Sequence, residues 1–150
     1  MPDKQTVQRA QGDAREGKAP STQAGEFVKE EMDHIREGKH GAASTKQAIA
    51  IGLSKARRAG VKLPPPKSGT TSAATRQKAA SDTRKGKSPA KKTSAKRSRA
   101  TSNALKREPR AAASHSALSK QAKTSARQRG SAARKQAAKK AAKTRQRSSR

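Results

Sequence analysis

Beyond residue 63 the chain has only two large aliphatic side chains, Leu105 and Leu118. Nearly all the others able to build a core fall within residues 21–63: Phe27, Val28, Met32, Ile35, Ile49, Ile51, Leu53, Val61 and Leu63. Any packed core must therefore come from that segment. Leu, Ile, Val and Phe number 11 in 150 residues. That is far below the roughly 20% under which a strongly charged chain is expected to be disordered. Ordering each residue costs about 1–2 kcal/mol of backbone entropy. Burial returns only about 25 cal/mol per Å², and Ala, the main apolar residue here, offers little surface. The expectation is a mostly disordered chain with a small all-α helical hairpin over about 22–37 and 45–59, and local helix within 110–147.

Charge divides the chain in the same way. Residues 1–63 carry 12 basic and 8 acidic side chains, whereas residues 64–150 carry 26 and 2. The change falls at Pro64, Pro65 and Pro66, which donate no N–H and favour an extended backbone. Three regions are expected: a disordered arm over 1–20, a hairpin module over 21–63 and a low-complexity polycationic tail over 64–150.

Within the module, Val28, Met32 and Ile35 recur at i, i+4, i+7 with Phe27 alongside, which is one face of a helix. Ser21 or Thr22 is the expected cap, Glu26, Glu30 and Glu31 suit the N-terminal half, and Gly38 is the expected stop. Ser44-Thr45-Lys46-Gln47 has the form of a capping box. Ile49, Leu53 and Ala56 follow on one face, widened by Ala48 and Ile51, and Gly52 would let a neighbour approach closely. Gly60 is the expected C′ residue, with Val61 folding back on the last turn. The predicted hairpin core is Phe27, Val28, Met32, Ile35, Ile49 and Leu53. A hairpin of about 40 residues is at the lower edge of independent stability, so self-association as a homo-oligomer is expected.

The run from Thr45 to Gly60, TKQAIAIGLSKARRAG, resembles the signature of a family of small, basic, uncharacterised bacterial proteins, roughly K-Q-A-I-A-I-x-L-S-x-A-R. Gly38-Lys39-His40-Gly41 is similar to the segment preceding that motif, in altered order. The resemblance covers about 40 residues, implies a bacterial origin and carries no activity. In the tail, Ser88-Pro89-Ala90-Lys91-Lys92 resembles a turn motif of linker-histone tails, and the Ala/Lys/Arg/Ser texture of 110–150 resembles the tails of histone-like bacterial proteins.

The tail physics stands without that likeness. Duplex DNA carries one charge per ~1.7 Å of axis, and cations that neutralise phosphate release counterions. The residues expected to bind nucleic acid are Lys87, Lys91, Lys92, Lys96, Arg97, Arg99, Arg127, Arg129, Arg134, Lys135, Lys139, Lys140, Lys143, Arg145 and Arg147. The tail has no aromatic residue, so base stacking is unavailable. This favours DNA over RNA as the partner. Ser131–Lys143 is rich in helix formers, and mutual repulsion is expected to delay its helix until phosphate is bound.

Other chemistries find little support. The chain has no Cys, which removes disulfides and thiolate ligands. His34 and His40 near Glu30, Asp33 and Glu37 fit no strong metal motif, so no metal or cofactor is expected. Glu30, Glu31, Asp33 and Glu37 read as a solvated acidic face rather than paired catalytic carboxylates. Ser88-Pro89 is a conceivable phosphorylation step. Lys46, Lys55, Arg57 and Arg58 offer phosphate contact as a secondary role of the second helix. No apolar run approaches a membrane span, and a cytoplasmic, nucleoid-associated location is expected. The leading expectation is a non-enzymatic, histone-like protein that binds DNA without sequence preference and is anchored by its hairpin. The alternatives are a protein-interaction module with an accessory tail, and an RNA- or ribosome-associated factor.

Overall fold

The computed structural model describes residues 2–88 and 94–148. These form six α-helices and one 3-10 turn, with no strand among the described residues: α1 (Lys4–Arg15), α2 (Pro20–Arg36), α3 (Thr45–Arg58), α4 (Ala73–Gly86), α5 (Ala95–Arg107), the 3-10 turn Arg110–Ala113, and α6 (His115–Ser148). The expectation of a mostly disordered chain is thereby overturned. Ala, Lys, Arg and Gln are among the strongest helix formers, and helix extends over segments that supply little core.

The hairpin is α2 against α3. Helix α2 begins at Pro20, ahead of both expected caps, Ser21 and Thr22. Pro20 takes the first turn, where its missing N–H costs nothing, and Ala19 precedes it with no side-chain cap. Gly38, at φ +79°, ends the helix. The Gly38 N–H donates to Ile35 O and Lys39 N–H to His34 O, which satisfies two orphan carbonyls. Ser44 caps α3 as expected, its Oγ accepting from Gln47 N–H at 3.2 Å. Gln47 reaches back to Ala43 N–H at 2.7 Å, one residue earlier than in the standard box. The far end closes as the sequence implies, with Gly60 N–H on Arg57 O and Val61 N–H on Ala56 O.

The contact face of α3 is narrower than expected. Thr45, Ala48, Gly52 and Ala56 are its buried centre, together with Arg57. Ile49 and Leu53 are half-buried on the flanks, as is Val28 on α2, while Phe27, Met32 and Ile35 are buried. Gly52 makes this packing feasible, because a Cβ there would lie 2.7 Å from Val28 Cα.

Two apolar clusters flank the crossing. Met32, Ile35, Ala42 and Ala48 are closed by Ala112 and Ala113 of the 3-10 turn and by Leu118 at the start of α6. Ala24, Phe27, Ala56 and Val61 are closed by Ala10 and Val7 of α1 and by Leu53 and Leu63. Residues expected to be a disordered arm and tail thus cover the hairpin from both ends. Small side chains suffice for this because a cap needs only to exclude water from surfaces that α2 and α3 already provide.

Helix α6 is interrupted at Gly130, whose φ of 71° and ψ of 168° are not helical and belong to a region open in practice only to glycine. Residues 131–147 show no buried side chain. None of the described helices is long and apolar enough to cross a membrane.

Gly52→Ala is expected to lower the unfolding free energy by about 1–3 kcal/mol, the usual penalty of overpacking, although Ala is the better helix former by about 1 kcal/mol. Urea unfolding followed by circular dichroism measures the difference, and an unchanged or higher midpoint contradicts the close α2–α3 approach.

Candidate nucleic-acid interface

Eight of the ten acidic side chains form ion pairs with Lys or Arg of the folded body. Arg9 Nε donates to Glu26 at 2.6 Å, tying α1 to α2. Lys18 lies between Asp13 and Glu16, at 2.7 and 2.8 Å. Asp33 faces Lys29 and Arg36, and Glu37 faces Lys39. Lys55 reaches across from α3 to Glu31 at 2.7 Å and Glu30 at 3.5 Å.

Asp82 of α4 docks that helix on α3. It is 2% exposed and accepts from Ser54 Oγ at 2.7 Å and from Arg58 Nε at 2.8 Å. Arg57 beside it is buried and donates to Pro64 O at 3.4 Å. Burial lowers the Arg57 guanidinium below the usual arginine range, against the opposing pull of Asp82. The basic end of α3 is therefore largely committed. Of the four cations on that helix considered for phosphate contact, Lys55 and Arg58 are ion-paired and Arg57 is buried, which leaves Lys46 exposed.

The tail presents the opposite picture. Lys87, Lys96, Arg97, Arg99, Arg127, Arg129, Arg134, Lys135, Lys139, Lys140, Lys143, Arg145 and Arg147 are all exposed. Among the described residues none of them lies in a salt bridge, and Arg134 Nε donates only to Gly130 O at 3.2 Å. Lys91 and Lys92 lie outside the described residues, as does Pro89 of the Ser88-Pro89 step. The cations do not converge on a pocket but are strung along helices. Helix α5 carries Lys96, Arg97 and Arg99 and has no buried residue. Past Gly130, Lys135, Lys139, Lys143 and Arg147 follow at four-residue intervals. Together with Lys140 they occupy a sector of about 140° at 100° per residue. Arg134 and Arg145 project from the opposite side of the same helix.

Two features escaped the sequence reading. The first is the role of Asp82, an isolated acid in a basic tail, whose isolation was the available signal. The second is burial of Glu30 (5% exposed) and Glu31 (0%). They were expected on a solvated acidic face and instead point between α2 and α3. Their i, i+1 spacing carries no face information, and the Lys55 that draws them inward is on another helix.

Residues 19–67 match a family of unknown function (DUF6496). The match spans α2, α3 and the proline run, about a third of the chain. No curated protein and no solved structure matches.

Asp82→Ala is expected to cost about 1–3 kcal/mol, the penalty for stripping buried donors of their acceptor. The half-exposed Arg58 keeps the cost toward the low end by rehydrating. Amide exchange over 73–86 should accelerate selectively, and protection unchanged there would contradict the docking of α4 through Asp82.

Proposed function

We propose that this protein binds DNA without sequence preference through the exposed cations of α5 and α6, with the α1–α4 body as their anchor. The observation that carries this reading is the segregation of charge. Eight of the ten acids pair with Lys or Arg of the body, whereas the cations from Lys87 onward stand exposed and outside any ion pair among the described residues. Such an array attracts a polyanion at long range and gains free energy by releasing counterions. Lys and Arg on a helix contact phosphates, which fix position without reading sequence. No aromatic side chain accompanies them, which favours duplex DNA over single strands.

The arms belong to helices, so the reading no longer needs helix to form on contact over 131–143. Nor does it need a second copy. Part of the hairpin surface assigned to self-association is covered by α1, α4 and the 3-10 turn of the same chain.

Fluorescence anisotropy of the full chain on a random-sequence duplex tests the proposal. With about eight phosphates neutralised, log K should fall with log salt at a slope near −7. Replacing Lys135, Lys139, Lys140 and Lys143 together by Gln should make the slope shallower by about 3–4, with no change in thermal stability of the body. Affinity and slope both unaltered in that variant would overturn the arm mechanism. Preference for a folded RNA over the duplex at equal salt would transfer the reading to RNA, and affinity for neither would leave a protein-interaction module.

A further inference from the structure

A second concentration of chemistry lies on the body, away from the cationic arms. Five side chains meet where the end of α2 faces the α2–α3 loop. His40 Nε2 is 3.2 Å from Glu31 Oε1. His34 Nδ1 is 4.0 Å from Glu30 Oε1, and its Nε2 is 3.5 Å from Asp3 Oδ2. The two imidazoles meet edge to face with centroids 6.2 Å apart. One ligand atom each from Glu31, His34 and His40 lie within 4.8 Å of one another.

The carboxylates here are underserved. Both oxygens of Glu31 and Oε1 of Glu30 are buried and accept no hydrogen bond. Lys55 Nζ lies 2.7 Å from Glu31 Oε2, but its approach is not a hydrogen-bonding one. Charge is underserved as well. The buried Glu30 and Glu31 share the ammonium of Lys55, and the nearby Lys39 is held by Glu37 at 2.9 Å. One negative charge is left over, and buried carboxylates without compensation are costly.

We propose that Glu31, His34 and His40 form a binding site for a divalent first-row metal ion of the zinc class. One imidazole nitrogen from each histidine and one carboxylate oxygen make a donor set suited to such an ion. Ligands at about 2.0–2.2 Å in a tetrahedral shell stand about 3.3 Å apart, close to the 3.2 Å between His40 and Glu31. Asp3, Glu30 and His34 form a neighbouring cluster, but Asp3 is largely exposed, and the buried Glu31 is the stronger anchor. The ion would compensate the charge left on the buried carboxylates and tie the loop bearing His40 to α2. Lys55 acts as its competitor, an internal cation held against Glu31 in the metal-free protein.

No local spacing announces this site, because His40 reaches the cluster through the turn at Gly38 and not along a helix. The site is independent of the DNA-binding reading, which its failure would leave intact.

The test uses untagged, nuclease-treated full chain mixed with zinc chloride and desalted. About one zinc per chain should be retained, and the melting temperature should rise. Cobalt(II) should give the visible absorption of a low-symmetry site. His40→Ala should lose the retained metal and the cobalt spectrum, whereas His115→Ala, at an exposed position on α6, should keep both. Lys55→Met discriminates a metal site from a purely structural ion pair. It should bind zinc at least tenfold more tightly than the natural chain, and zinc should restore its stability. Failure of both the natural chain and Lys55→Met to retain zinc overturns the proposal, as does retention undiminished by His40→Ala.

Discussion

Everything else in the body depends on how closely α2 and α3 approach. At Gly52 the α3 backbone rests on Val28 of α2 without an intervening side chain, and Ala48 and Ala56, one turn to either side, are fully buried. Small residues at four-residue intervals let the two backbones meet, so dispersion contacts accumulate along the whole crossing rather than at a few large knobs. The same approach sets the reach of Lys55, one turn past Gly52, which meets Glu30 and Glu31 just past Val28. A wider crossing would leave these carboxylates buried without that cation, or would admit water to them. Apolar packing and the buried polar cluster are thus consequences of one spacing.

From that crossing the chain covers itself outward with modest materials. Val7 and Ala10 close one end, and Ala112, Ala113 and Leu118 the other. Asp82 fastens α4 through Ser54 and Arg58. The final cover is distant in sequence: Thr45 Oγ1 donates to Ala112 O at 2.7 Å, and Arg36 Nε donates to Ala113 O at 3.0 Å. These bonds anchor the start of the arm to the hairpin, so α6 leaves the body from a fixed point.

How much of this was legible follows from which signals are local. The stop at Gly38, the cap at Ser44 and the turn at Gly60 and Val61 rest on neighbours within a few residues, and all are present in the structure. The buried stripe of α3 lies one position away from the stripe that its large residues mark. Ile49 and Leu53 instead flank a centre of Ala and Gly that hydrophobicity alone undervalues. Helices α1, α4 and α5 escape the sequence because too few large residues mark a face, whereas α6 runs through the 110–147 region where local helix is expected. Glu30, Glu31 and Asp82 were read as solvent-facing or not read at all. Their burial depends on Lys55, Ser54 and Arg58, partners that no spacing within one helix connects to them.

The division between body and arm separates stability from affinity. Cations such as Lys55 and Arg58 cannot be removed without leaving a buried carboxylate exposed to the cost of desolvation. Those beyond Gly130 touch nothing that holds the fold together, so their number and spacing are free to follow the polyanion. Order in that arm has an energetic consequence. A disordered tail loses about 1–2 kcal/mol of backbone entropy for each residue fixed on binding, a loss that helix formed beforehand largely avoids. Opposing this, like charges at Lys135, Lys139 and Lys143 repel along one side of the helix by a few tenths of a kcal/mol per pair. Phosphates laid along that side remove the repulsion, so the ligand stabilises the very geometry that presents the cations to it.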